Sequence, residues 1–159
     1  MSTSPTSLRT VTLPSARVFV GAVYAICVLG MIAVFVGVIV FTDQDPLERE
    51  GPIRSIIGVG VLGTAALLIV IGMGLWQAHA PQRATMGAIV LGALSLLTLI
   101  AFWSGAPGVL GAGAAGLAGL TRGGRPLGGA ARVAGIVGVF IALLNVVLSV
   151  GAVLLSGTM

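Results

Sequence analysis

Charged side chains are confined to short gaps, and the stretches between the gaps are long and apolar. Residues 18–42, 55–82, 84–121 and 133–159 contain no Asp, Glu, Lys or Arg. A helix needs about 20 mostly apolar residues to cross a hydrocarbon core about 30 Å thick, and every one of these stretches is long enough. In lipid only structures that satisfy their own backbone hydrogen bonds can span. The pattern therefore predicts an all-α protein: a polytopic transmembrane helix bundle with no soluble domain.

The polar gaps divide it. Residues 1–16 are rich in Ser, Thr and Pro and carry Arg9; they cannot bury a core and are expected to be a disordered cytoplasmic tail. The transmembrane domain is expected over 17–156. Its first helix is placed over 17–41 and its second over 55–77. Between them, residues 42–54 hold every carboxylate of the chain together with Pro46 and the Gly51-Pro52 pair, a polar loop with its own breakers. Pro81 and Arg83 mark the next turn. One helix over 84–121 would run about 57 Å, far beyond the membrane. The sequence Ser104-Gly105-Ala106-Pro107-Gly108 interrupts it, since proline lacks the backbone donor and disfavours helix in the residue before it. Helices are thus placed over 84–103 and 107–121. The second is about 22 Å long and reads as either a short tilted helix or a re-entrant one. The last helix is placed over 129–156.

Charge placement chooses between five segments and four. With five, Arg9, Arg17, Arg83, Arg122, Arg125 and Arg132 share one side, while Arg49 and Arg54 face the other among the four acids. Four segments would send the 122–132 arginines outward, against the excess of Lys and Arg in cytoplasmic loops. Five are favoured, with the amino terminus cytoplasmic in a multi-pass arrangement in the plasma (cell inner) membrane. The acidic loop, the uncharged Pro107 turn and the carboxyl terminus then lie on the far side.

Composition agrees with this placement: 57% of residues are hydrophobic and only 8% charged, against about a quarter charged in soluble domains. The net charge of +4 is scattered over separate gaps without interleaved aromatics, so no nucleic-acid footprint is present. Cys27 is the single cysteine, which rules out an intrachain disulfide. Ile26 before it is too bulky for a lipoprotein cleavage site, and the first apolar run is too long for a cleaved signal peptide. Cys27 is expected to pack as a small hydrophobe.

Without much hydrophobic drive between helices in lipid, small residues that let backbones approach take over. Ala33 and Gly37 are four apart in the first helix. Gly108, Ala112 and Gly116 form one stripe in the short segment, and Gly111, Ala115 and Gly119 another. Ala134, Gly138 and Ala142 line one face of the last helix, which Asn145 and Ser149 continue. Gly108, Gly111, Gly116, Gly138 and Asn145 are the expected helix-packing residues, with the Asn145 amide turned to another helix.

Candidate chemistry is sparse. Gly58-Val-Gly60-Val-Leu-Gly63 and Gly111-Ala-Gly113-Ala-Ala-Gly116 match the dinucleotide fingerprint, but both lie inside charge-free runs and lack the acidic residue about 20 positions on. Asp43, Asp45, Glu48 and Glu50 lack EF-hand spacing. His79 stands alone beside Pro81, without the partners of a catalytic constellation. Trp76 and Trp103 fall near expected helix ends and read as interfacial anchors. Ionisable residues, which mark ion and proton pathways in membranes, are missing from every expected helix interior; Arg132 opens the last helix, where it can snorkel. No catalytic, cofactor or metal residue is assigned, no cofactor is expected and the protein is not expected to be an enzyme.

From about Met86 to Val150 the chain resembles uncharacterised small actinobacterial polytopic membrane proteins of a domain-of-unknown-function family. The features are an apolar stretch with small-residue repeats (AIVLGALSLL), a Gly/Pro break (GAPG), a Gly/Ala-rich helix ending in basic residues (GLAGLTRGGR) and a final helix opening AARVAGIVGVF. The resemblance implies a small bundle and brings no catalytic residues. This chain departs from it in its short tail and two additional amino-terminal helices. The expected partners are the lipid bilayer and another membrane protein or a second copy. The expected role is a non-catalytic accessory or scaffolding subunit of a plasma-membrane complex, the alternative a small uncoupled pore or permease.

Overall fold

The structure, a computed structural model, describes residues 13–41, 50–77 and 80–156. These form five helical rods. The first joins α1 (Ala16–Tyr24), a π turn (Ala25–Leu29) and α2 (Gly30–Phe41). The second is α3 (Glu50–Gln77), the third α4 (Pro81–Leu97) running into a 3₁₀ segment (Thr98–Ser104), the fourth α5 (Ala106–Leu117) and the fifth α6 (Gly129–Ser156). Among the described residues there is no strand beyond an isolated bridge between Leu13 and Thr121. Four of the rods are long and apolar enough to cross a membrane, and α5 is the shorter apolar helix. The molecule is an all-α membrane-spanning bundle. Gly51 and Pro52, expected in the preceding loop, belong to the first turn of α3, where proline's missing N–H has no helical partner to lose. The tail expected over 1–16 lies mostly outside the described residues; Leu13–Ser15 lead into α1.

One end of the bundle gathers the arginines. Gly116, near the end of α5, faces Ala16 at the start of α1. The Arg122 N–H donates to the carbonyls of Leu13 and Pro14, at 3.2 Å each. The end of α3 meets α4 where Gln77 lies over Gly87. Arg17, Arg83, Arg122, Arg125 and Arg132 therefore share this end, while Glu50 and Arg54 start α3 at the other.

The break at Pro107 is not at the far end, as charge placement predicts, but at mid-depth. Gly105 presses on Cys27 and Val28, which lie about 17 Å along a first rod of about 38 Å. The carbonyl of Ser104 approaches Gly63, near the middle of α3. Asn145, well inside α6, bonds to Phe102. The α4–α5 pair is thus a hairpin whose tip meets the first rod, α3 and α6 midway along their lengths, and α5 leads back to the arginine end in about 18 Å. The physical reason is local. Pro107 and the left-handed Gly105 (φ 72°) end one helix and start the next within two residues, and the 3₁₀ segment before them is itself kinked at Ala101 (φ −107°, ψ 44°).

α5 is the core. Every residue from Ala106 to Ala115 is buried, enclosed by α1, α3, α4 and α6. Val109, Leu110, Leu91, Val23 and Val70 fill the space around it. Beyond the tip a smaller cluster of Val28, Met31 and Val59 joins the first rod to α3. Near the arginine end, Ala88, Ala118 and Ala131 meet.

Candidate functional site

Turning a chain inside hydrocarbon leaves backbone groups that water cannot serve, and such irregular backbone is tolerated only where protein buries it. Short polar side chains do this work here. The Ser104 hydroxyl donates to the carbonyl of Ala101 (2.7 Å) and accepts from the N–H of Ala106 (3.2 Å). The Ser95 hydroxyl donates to the carbonyl of Pro107 (2.8 Å). The amide of Asn145 donates to the carbonyl of Phe102 (2.8 Å). Ser149 turns back on its own helix and donates to the carbonyl of Asn145 (2.8 Å). All four side chains are buried. Their donors are committed to backbone, so the tip is a locked turn; Asn145 Oδ1 is the one acceptor among them without a partner. It lies against Gly108, where a Cβ would come within 2.9 Å.

The other expected packing residues surround α5. Gly111 and Gly138 bring two backbones together, each where a Cβ would meet the other's carbonyl oxygen. Gly116 faces Ala16, where a Cβ would stand 3.1 Å from its neighbour's. On α6, Ala142, Asn145 and Ser149 are buried and Ala134 meets Gly92 of α4. Gly119 leaves its expected stripe: it lies past the end of α5 with φ +73°, and a Cβ there would collide with the carbonyl of Arg125. Ala33 and Gly37 take no close packing role; Ala33 is exposed and a Cβ on Gly37 would meet nothing within 4 Å.

Both dinucleotide-like glycine runs lie inside helices, α3 and α5, where the backbone N–H groups are spent on the helix rather than offered to a phosphate. Cys27 is fully buried in the π turn behind the hairpin tip. Trp76 is exposed near the end of α3, with the Arg83 guanidinium 5.1 Å from its ring centroid, a favourable cation–π arrangement. Trp103 is 44% exposed. It sits on the 3₁₀ segment at the hairpin tip, edge-on to Phe102 with centroids 5.5 Å apart. Glu50 faces Arg54 at 3.4 Å, both exposed. Asp43, Asp45, Glu48 and His79 lie outside the described residues. Among the described residues no group of three or more His, Cys, Asp or Glu gathers.

Sequence reasoning missed Ser95, Ser104 and Gln77. The serines are ordinary in composition, and only the hairpin gives them a task. Gln77 reads as the polar end of a helix, yet it is buried and neither amide atom has a partner among the described residues. It lines a cleft at the arginine end together with Arg125 and a wall of glycines. An unpaired buried amide costs about 1–3 kcal/mol; among the described residues Gln77 is the side chain with both amide atoms unpartnered, while Asn145 lacks a partner only at Oδ1.

Comparison of the chain with protein-family models, with curated proteins and with solved structures finds no match.

Proposed function

We propose that this membrane protein is a non-catalytic accessory or scaffolding subunit of a plasma-membrane complex, and that α3 is the helix it presents to its partner. The observation that carries the reading is a seam on α3. Gly58, Val61, Ala65, Leu68, Gly72 and Leu75 recur in alternating steps of three and four residues. This is heptad spacing, which keeps one stripe turned to a neighbouring helix. Small residues take every first place and large ones every second, an arrangement that lets backbones approach in lipid. Among the described residues no helix covers the stripe. Val61, Leu68 and Leu75 are 61%, 63% and 68% exposed, and a Cβ on Gly58 or Gly72 would meet nothing within 4 Å. The seam runs about 26 Å, close to the depth of the hydrocarbon core, so its natural occupant is one transmembrane helix of another protein. The arginine-rich end is read as cytoplasmic, from the excess of basic residues on that side.

The packing around α5 supports this role over the pore. The helix that would line a path is instead enclosed on all sides, with backbone against backbone at Gly111 and Gly138.

Cysteine placed at Leu68 tests the reading, because the native Cys27 is buried. Oxidative cross-linking in native membranes is expected to give an adduct with a different membrane protein. A homodimer alone would transfer the seam to a second copy of this chain. No adduct at Leu68, with the same outcome at Val61 and Leu75, would refute the role of α3.

A further inference from the structure

The cleft at the arginine end has a chemistry that the packing of the bundle does not use. It measures about 490 Å³, far more than a water molecule occupies. Its walls come from the end of α3, the first turns of α4 and the loop joining α5 to α6. Gln77 lines it and is only 5% exposed, and neither Nε2 nor Oε1 is hydrogen-bonded among the described residues. Its amide lies over Gly87 of α4, where a Cβ would collide with it, so the adjacent helix is shaped to admit it. Arg125 also lines the cleft and is exposed, with no ion pair among the described residues. The loop that carries Arg125 is held close by glycine: the carbonyl of Arg125 packs on Gly119, and Gly124 packs on the Gly119 backbone. Arg17, Arg83, Arg122 and Arg132 belong to the same end of the bundle but do not line the cleft. The chain's four acidic residues all fall between Asp43 and Glu50, and the described one, Glu50, begins α3 at the opposite end.

We infer that this cleft binds the phosphate of an anionic, hydroxyl-bearing headgroup. A guanidinium and an amide N–H₂ are donors suited to phosphate oxygens. The amide oxygen needs a donor, and a hydroxyl on the same headgroup supplies it. An ammonium headgroup would also satisfy that oxygen, but it would enter a field of arginines with no described carboxylate nearby. The position also fits the membrane: Gln77 ends a spanning helix beside Trp76 and Arg83, at the level where headgroups lie, and basic pockets between helix ends on the cytoplasmic side suit anionic lipids. The same phosphate chemistry is available from a bilayer lipid or from a soluble phosphate, and the membrane-interface position favours the lipid.

The test uses the full chain, delipidated in detergent, with three probes: phosphatidylglycerol, phosphatidylcholine and inorganic phosphate. Retained lipid is counted by native mass spectrometry, and melting is followed in parallel. The wild-type chain is expected to retain phosphatidylglycerol over phosphatidylcholine by at least about tenfold, as a charge-assisted contact allows. Gln77→Leu and Arg125→Ala are each expected to lose most of that preference, and Arg17→Ala to keep it. Arg125 is exposed on a loop, so its variant guards against a mere folding defect at Gln77. If inorganic phosphate alone raises the wild-type melting point and not that of the two variants, the site is upheld and its ligand comes from solution; if only phosphatidylglycerol does so, the ligand is the lipid. Equal retention of the two lipids by the wild type overturns the inference. So does a preference that survives in both variants, or one that Arg17→Ala abolishes equally, which would reduce the effect to surface charge.

Discussion

Gly138 permits a graded test of how α5 is held. A Cβ there would meet the carbonyl oxygen of Gly111 and stand 3.1 Å from the Cβ of Ala114. The nearest obstacle is backbone of a buried helix, so no side chain can rotate away and the helices must part by an amount on the order of 1 Å. Overpacking of this kind costs about 1–3 kcal/mol. Against it stands the helix-propensity gain of Gly→Ala, at most about 1 kcal/mol. For Gly138→Ala the two nearly offset, with a net loss of about 0–2 kcal/mol. For Gly138→Leu the obstruction is much larger and the propensity gain is no greater, so the loss exceeds about 3 kcal/mol. Parting α5 from α6 also pulls Asn145 from Phe102, which adds to it. Two controls on the same helix set the scale. Gly151→Ala meets nothing within 4 Å and is expected to be neutral or slightly stabilising. Leu143→Ala removes a side chain that is 51% exposed on the outer face and costs little, because lipid solvates what it uncovers. Reversible unfolding in mixed micelles gives the four values. Equal losses for Gly138→Leu and Leu143→Ala, or identical behaviour of Gly138→Ala and Gly151→Ala, would refute the backbone contact.

Four further outcomes follow from the hairpin tip. Gly105→Ala combines a φ of +72° with a Cβ 3.0 Å from that of Cys27 and is expected to lose about 1–3 kcal/mol, read in the same unfolding assay; a neutral result would mean the turn adopts another conformation. Ser104→Ala leaves the Ala101 carbonyl and the Ala106 N–H without their hydroxyl partner and should cost about 1–3 kcal/mol, whereas Ser55→Ala, which removes an exposed bond to the Gly51 carbonyl of its own helix, serves as a reference with a smaller loss. Asn145→Ala removes one bond to Phe102, whose carbonyl still accepts from the Gly105 N–H at 3.3 Å, so the loss should stay near the average of about 0.6 kcal/mol for such interhelical bonds; a loss above about 2 kcal/mol would show that the amide carries the tip alone. Cys27, fully buried, should resist maleimide in the folded chain and react after denaturation, and fast labelling of the native protein would contradict the packing of Gly105 against the π turn.

The arrangement of charge in the sequence was enough to decide the solvent and the secondary structure. Long runs without an ionisable residue can only be spanning or core helices, because lipid offers backbone groups no alternative partner. The break at Ser104–Gly108 was legible for the same reason, since proline and glycine act within one or two residues of themselves. Gly111 and Gly138 stand out by their small-residue spacing, and Asn145 by the cost of an unbonded amide in lipid. What spacing could not give was depth. Whether a turn lies at the surface or halfway through depends on which neighbours meet its flanks, and the meeting of Gly105 with Cys27 and of the Ser104 carbonyl with Gly63 is a relation between residues far apart in the chain. Ser95, Ser104 and Gln77 carry no sequence signal of their own: the serines matter because a broken backbone passes beside them, and Gln77 because three separate segments leave a cleft around its amide. Local sequence set where helices begin, break and end; only tertiary packing set how deep each one reaches and which polar groups are left unpaired.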